Sequence, residues 1–184
     1  DQGWQDRQNL LNQRATTEGE HAQLVFIGDS ITQGWEGEGK DVWAHYYAPR
    51  HAVNLGIGGD RTQHVLWRLD HGHLEGLKPK AAVLMIGTNN LGSNSNEEIA
   101  AGITKIVNLL HEKLPQTKVL LLGIFPRGAK ADDPARARIK AINQEIAKLD
   151  DGGKTVKYLD IGDKFLEPDG SLPRQNGTMY DALH

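Results

Sequence analysis

The sequence predicts a single α/β domain, built as a three-layer, doubly wound sheet of the flavodoxin-like type with about five parallel strands. Short apolar runs typical of buried strands alternate with longer segments whose apolar residues recur at helical spacing. The 184 residues are enough to bury one core without cross-links. No repeat or linker divides the chain, so we treat residues 1–184 as one domain.

Five apolar runs are predicted to be the strands. The first is rich in β-branched and aromatic side chains and is too short for a buried helix. The third and fourth are almost uninterrupted, as expected for central strands covered on both faces. The five runs are residues 24–27, 52–55, 81–86, 119–124 and 156–159.

Three segments between these runs are predicted to be helices, over residues 62–74, 96–114 and 133–149. Asn96 is the expected N-cap of the second, and Pro115 ends it because proline has no N–H to donate. Pro134 stands in the first turn of the third. Residues 1–20 are an N-terminal extension or helix, and residues 166–184 a long loop over the sheet, of a length that is usually functional.

Composition excludes several classes of function. The formal net charge of −3 argues against a nucleic-acid or anionic-membrane surface. No run approaches 18 consecutive apolar residues, so we expect no integral membrane association. Cysteine is absent, which excludes thiol nucleophiles and disulfides. Because the chain begins at Asp1 and not Met, we expect a processed or trimmed product, secreted or periplasmic, with the cytoplasm as the alternative.

Glycine and polar residues follow each of the first three predicted strands. The segments are Gly-Asp-Ser at 28–30, Gly-Ile-Gly-Gly-Asp at 56–60 and Gly-Thr-Asn-Asn at 87–90, and the chain closes on Asp-Ala-Leu-His at 181–184. Open α/β sheets bind ligands at the carboxyl ends of their strands. We therefore expect the three loops to meet at one edge, within reach of the last loop.

These loops contain the parts that acyl transfer needs. Ser30 is the candidate nucleophile, His184 the base that accepts its proton, and Asp181 the carboxylate that orients the base. The N–H groups of Ser30 and Gly59 and the amide of Asn89 are candidate oxyanion donors. Taken singly, each has an ordinary explanation as a turn or solvated loop residue. Their order along the chain is what favours an esterase.

Other motifs give weaker signals. Arg61 stands where a dinucleotide fingerprint needs its third glycine, and no phosphate-binding loop sequence exists, so we expect no cofactor. The two histidines at 71 and 73 lack a nearby third ligand and more often cap a helix end, so we expect no metal site. Asp60 and Arg61 are expected to position the second loop through hydrogen bonds.

Two tryptophans have two interpretations each, and a third has one. Trp35 and Trp43 follow the candidate nucleophile closely and either line an acyl or sugar site or pack in the core. Trp67 is expected to be structural.

The four polar segments resemble the signature blocks of the SGNH (GDSL-type) esterase superfamily. The stretches 54–62, 64–69 and 123–128 are similar to one subgroup, the catalytic subunits of platelet-activating-factor acetylhydrolase Ib. The resemblance covers nearly all of residues 20–184. It implies the same roles for Ser30, Asp181, His184, Gly59 and Asn89, and it makes a homodimer plausible.

The sequence departs from this family pattern at two places. Many members have Asp where this chain has Asn90, although the subgroup shares Asn. Relatives also continue into a final helix after the position of His184, so we expect a C-terminal helix to be missing from the sequence.

The predicted function is hydrolysis of short-acyl, foremost acetyl, carboxylic esters through an acyl-enzyme. A small-molecule or oligosaccharide ester is the expected substrate, and a carbohydrate O-acetyl esterase the preferred role. The alternative is an acetylhydrolase or lysophospholipase acting on acetylated phospholipids. A non-catalytic carbohydrate-binding module and a flavin or nucleotide binder remain alternatives from other classes.

Overall fold

The computed structural model describes residues 1–173 and contains a five-stranded sheet in the order β2-β1-β3-β4-β5. All neighbouring strands are parallel. The strands are β1 (Leu24–Gly28), β2 (Ala52–Gly56), β3 (Ala81–Met85), β4 (Lys118–Leu122) and β5 (Val156–Leu159). The predicted α/β class and flavodoxin-like strand order are confirmed.

The described part of the chain contains six α-helices. They are α1 (Gln2–Glu18), α2 (Ser30–Gln33), α3 (Lys40–Val42), α4 (Thr62–Asp70), α5 (Asn96–Lys113) and α6 (Pro134–Ile146). A π-helical turn, Trp43–Tyr47, follows α3, and a 3-10 turn, Ala147–Leu149, extends α6. Residues 1–20 are thus largely a helix, one of the two expectations for them. No helix within residues 1–173 is both long enough and apolar enough to cross a membrane.

Predicted and observed element ends differ by a few residues, for local reasons. The N-cap of α5 is Ser95, one residue before the predicted Asn96, because Ser95 and Glu98 bond each other's backbone N–H in a capping box. Strand β4 ends at Leu122 and not at the predicted Ile124, because the Asn143 side chain binds the backbone of Ile124. The Asn143 Oδ1 accepts the N–H of Ile124, and its Nδ2 donates to the carbonyl of Ile124. Helix α4 ends at Asp70 and is followed by Gly72 at φ 106°.

The main core joins helices α1, α4, α5 and α6 to one set of strand side chains, which includes Val25 and Ile27 of β1. Strand side chains alternate between faces, so Phe26 lies on the other face. There its ring contacts Trp35, Trp43 and Tyr47, with centroid distances of 6.3, 5.0 and 5.0 Å. Trp35 and Trp43 therefore pack on Phe26 outside the main core, and both are half-buried.

Candidate active site

Ser30 is the first residue of α2 and lies just beyond the end of β1, partly exposed. Asp29 caps the helix, and its Oδ1 accepts the N–H of Ile31 at 2.9 Å. Gly28 leaves no room for a side chain, because a Cβ there would be 2.5 Å from the carbonyl of Met85. The close approach of β1 and β3 thus requires the glycine and sets the serine at the strand edge.

The second loop packs directly beside Ser30. The N–H of Ile57 donates to the carbonyl of Gly28 at 3.2 Å, which joins the two loops. A Cβ built on Gly58 would be 3.7 Å from the Cβ of Ser30. Gly59 is exposed and has φ 80°, a conformation that favours glycine. The predicted proximity of Ser30 and the glycine turn is observed.

Gln33 holds this turn from α2. Its side-chain Oε1 accepts the N–H of Gly58 at 2.7 Å. Gln33 is one helical turn after Ser30, so the nucleophile candidate and the support of the glycine turn share one short helix. Sequence reasoning missed Gln33, since a glutamine in a helical segment gives no signal of a partner 25 residues away.

The third loop is bonded to the second. The Asn89 Nδ2 donates to the carbonyl of Asp60 at 2.9 Å. Buried Asn90 accepts the N–H of Thr62 at 3.0 Å through Oδ1, and its Nδ2 donates to Gln63 and Asn94. The structure therefore brings Ser30, Gly59 and Asn89 to one edge through adjoining loops. The amide of Asn90 ties the third loop to the start of α4.

Asp181 and His184 lie outside the described residues. Their expected roles as orienting carboxylate and base stay predictions from the sequence pattern.

A buried ion pair lies among these loops. The Arg68 Nε donates to the Asp60 Oδ2 at 2.6 Å, and both side chains are 0% exposed. The same guanidinium donates to the carbonyls of Leu55 at 2.7 Å and Gly28 at 2.9 Å, at the ends of β2 and β1. Asp60 thus positions the second loop through hydrogen bonds, in line with the expectation for that residue.

Sequence reasoning gave Arg68 no role, although a signal was present. Arg68 lies on α4 three residues after buried Val65 and next to buried Leu69, in the apolar stripe of the helix. A charged residue in such a stripe is almost always paired. The position of Arg68 in the helix does not predict which residue is its partner.

Two buried groups near this ion pair have strongly shifted pKa values. Burial raises the pKa of Asp29 to about 7, and the charge of Asp60 also raises it. The hydrogen bond from the Ile31 N–H acts in the opposite direction and lowers this pKa. Burial and then the charge of Arg68 lower the pKa of His73 to about 3. His73 is buried, and its Nδ1 is 3.0 Å from the Arg68 Nη1, which leaves this nitrogen poorly placed to bind a cation.

Trp67 lies on the outer side of α4 and is 48% exposed. Its ring stacks on His71 at a centroid distance of 4.2 Å and lies 5.8 Å from the ring of Trp4. It packs between surface groups of α1 and α4 and not in the main core.

A separate cleft of about 520 Å³ lies at the carboxyl ends of β4 and β5, beside α6. Arg136, Asn143 and Tyr158 are among its lining residues. Burial, with the charge of Asp160, raises the pKa of Tyr158 to about 12. None of Ser30, Gly59 and Asn89 lines this cleft, so we do not assign the chemistry to it.

Comparison with known proteins gives consistent matches. Residues 26–184 match the model of the GDSL-like Lipase/Acylhydrolase family. The chain is 39% identical over 170 residues to platelet-activating factor acetylhydrolase IB subunit alpha1 from Bos taurus, covering 92% of this chain and 71% of that protein. It is 41% identical over 161 residues to subunit alpha2 from Rattus norvegicus, covering 88% and 68%.

Solved structures share the fold at lower identity. One is an acetylxylan esterase from Geobacillus stearothermophilus, with a TM-score of 0.62 and 20% identity over 90% of this chain and 92% of that one.

Proposed function

Since this chain belongs to the GDSL-like lipase/acylhydrolase family and is a carboxylic ester hydrolase, we propose that it cleaves acetyl and other short-acyl esters through an acyl-enzyme on Ser30. One observation carries the proposal. Ser30 is partly exposed at the start of α2, with the Gly58–Gly59 turn beside it and Asn89 bonded to the next residue of that turn.

In the proposed first step, the Ser30 Oγ bonds to the ester carbonyl carbon while His184 takes the hydroxyl proton. The negative charge that develops on the carbonyl oxygen is stabilised by the N–H groups of Ser30 and Gly59 and by the Asn89 amide. The carbon–alkoxide bond then breaks, and His184 passes its proton to the leaving alcohol.

The second step reverses the first with water. His184 takes a proton from water, the hydroxide oxygen bonds to the acyl carbon, and the Ser30 Oγ leaves and recovers its proton. Asp181 keeps the imidazole in the tautomer that both steps use.

Two leaving alcohols are in keeping with this site. A sugar hydroxyl would leave in the role preferred from the sequence, and the hydroxyl of a lysophospholipid would leave in the alternative. The names of the curated relatives, at 39–41% identity, support the acetyl-phospholipid at least as well. The acetylxylan esterase shares the fold at 20% identity, which carries no argument about substrate. Acetyl as the acyl group is common to both proposals.

Replacement of the nucleophile tests the mechanism. Ser30→Ala should abolish turnover of p-nitrophenyl acetate and labelling by a fluorophosphonate, with an unchanged circular dichroism spectrum. Asn89→Ala should keep the labelling site and lose about 10²–10³ in rate, the usual cost of one oxyanion donor. Substantial turnover by Ser30→Ala would refute the acyl-enzyme on this residue.

The substrate is tested separately, with an acyl-length series on p-nitrophenyl esters and with acetate release from an acetyl-phospholipid and from acetylated xylo-oligosaccharides. A maximum at two carbons supports the acetyl proposal, and a maximum at eight carbons or beyond contradicts it. Faster release from one natural ester selects the leaving alcohol. A protein that fails to turn over any ester but binds the oligosaccharide would instead be the non-catalytic module.

A further inference from the structure

Asp60 lies next to two of the three candidate oxyanion donors, Gly59 and Asn89. It follows Gly59 in the chain, and its own carbonyl accepts the Asn89 Nδ2–H at 2.9 Å. Its side chain is 0% exposed. The position of Asp60 therefore determines where the acceptor of the Asn89 amide lies.

The Asp60 carboxylate is held from two sides. Arg68 of α4 donates to Oδ2 at 2.6 Å, and the Trp4 indole Nε1 of α1 donates to Oδ1 at 2.6 Å. Two donors on opposite oxygens determine the rotation of a carboxylate, which one donor does not. Trp4 is 56 residues away in the chain and lies before the segment that matches the family model, which begins at residue 26.

The hydrogen bond from Asn89 has a direct consequence for catalysis. A carboxamide has two N–H groups, and one of them is used by the Asp60 carbonyl. This bond determines the plane of the amide and leaves the other N–H for a substrate oxygen. Donors that stabilise an oxyanion must be placed before the charge develops, and a displacement of about 1 Å can cost up to 10²-fold in rate.

We propose that Trp4 is a positioning residue for ester hydrolysis: its indole N–H holds the Asp60 carboxylate, and Asp60 in turn holds the Asn89 amide in place for the oxyanion. This inference rests on the proposed function, in which Asn89 is an oxyanion donor. It makes the N-terminal helix α1 part of the catalytic machinery and not only a cover for the sheet.

The test replaces the indole with a ring that lacks the N–H. Trp4→Phe should lower kcat for p-nitrophenyl acetate about 10-fold and leave KM within about twofold, because the lost interaction acts on the transition state. Trp67→Phe is the matched control. Trp67 borders Trp4 at 5.8 Å and is 48% exposed, and its substitution should leave kcat unchanged.

A double-mutant cycle separates positioning from a general structural effect. In an Asn89→Ala background, Trp4→Phe should change kcat by less than about twofold, because the group that it positions is gone. The same 10-fold loss in both backgrounds, or a normal kcat in Trp4→Phe, would overturn the proposal. Each kcat is divided by the folded fraction of that variant, which circular dichroism measures.

If the proposed function were wrong, different variants would give the unexpected result. Turnover of ester by Ser30→Ala would refute the acyl-enzyme on Ser30, and a normal kcat in Asn89→Ala would refute its role as an oxyanion donor, whatever Trp4→Phe did. If those two variants behave as expected and only the cycle is additive, the role of Trp4 alone is wrong.

Discussion

Two arginine clusters bind the end of β2 and differ in their exposure to water. Three consecutive carbonyls each accept an arginine N–H: Asn54 from Arg14 at 2.8 Å, Leu55 from Arg68 at 2.7 Å, and Gly56 from Arg7 at 2.9 Å. Carbonyls alternate in direction along a strand. The outer cluster, Arg7 and Arg14 with Glu36, and the buried cluster, Arg68 with Asp60 and His73, therefore bind opposite sides of the same strand.

The outer cluster covers an edge. Strand β2 is at one end of the sheet, where unpaired carbonyls are a template for association with another chain. Arg7 is 12% exposed, Arg14 28% and Glu36 35%. Burial would raise the pKa of Glu36, but hydrogen bonds from Arg7 and Arg14 hold it below its usual value. Water still screens these charges.

The buried cluster has no such screening, and it lies between the loops that carry Ser30 and Gly59. The same contact, an arginine N–H on a strand-end carbonyl, thus covers an edge of the sheet when it is exposed and joins the loops of the candidate site when it is buried. The following predictions test that difference, from the largest expected effect to the smallest.

Removal of Arg68 should be the most damaging change. Arg68→Met leaves the Asp60 carboxylate buried without its counter-ion and the carbonyls of Gly28 and Leu55 without this donor. Breaking a buried ion pair in this way costs about 3–5 kcal/mol of the free energy of unfolding. Urea denaturation measures it, and a loss below about 1 kcal/mol would show that burial does not distinguish the clusters.

The two shifted groups near the buried cluster should give stability slopes of opposite sign. The folded-state pKa of Asp29 is raised to about 7, so its contribution is present at low pH and is lost as the pH rises from about 4 to about 7. The folded-state pKa of His73 is lowered to about 3, so its contribution is present above about 6.5 and is lost as the pH falls toward 3.

In Asp29→Asn, therefore, the free energy of unfolding should rise between pH 4 and 6.5, with the His73 slope approaching about 1.4 kcal/mol per pH unit. The variant should also be more stable than the parent at pH 8, where the parent keeps a buried carboxylate. Urea unfolding at successive pH values measures both effects. Identical pH profiles for variant and parent would contradict the raised pKa of Asp29.

The complementary change is His73→Asn, which keeps an acceptor for the Arg68 guanidinium. Without the histidine, the free energy of unfolding should fall as the pH rises from about 4 to about 7, because only the Asp29 contribution remains. The difference between the pH profiles of Asp29→Asn and His73→Asn measures how strongly the buried cluster is shielded from water. If the free energy of unfolding of His73→Asn still rose with pH, the slope at acidic pH would belong to a group other than His73.

The smallest effect is expected in the outer cluster. Glu36→Gln keeps hydrogen-bond acceptance but removes the charge, and partly exposed pairs contribute only about 0–1 kcal/mol. The difference between variant and parent should shrink further in 1 M salt, whereas that for Arg68→Met should not. A loss as large as that of Arg68→Met would remove the distinction between the clusters.

Much of the fold could be predicted from local patterns. The short apolar runs determined the five strands, and alternation with helical segments implied their parallel order. The residues after each run also predicted that Ser30, Gly59 and Asn89 would lie together. Element ends were less predictable, since Ser95 and Asn143 act through side-chain bonds to backbone groups that the apolar pattern does not record. The predicted roles of Asp181 and His184 rest on the sequence alone.

The sequence by itself determined the class of the fold, the order of the polar loops and the esterase pattern, because periodicity and turn residues act over a few positions of the chain. Only the tertiary structure decided that Arg68 joins the ends of β1 and β2, that Trp4 reaches Asp60, and that Asp29 has a pKa of about 7. Those properties depend on which distant groups come into contact and on how much water is excluded when the chain packs. The spacing of residues along the chain determines neither.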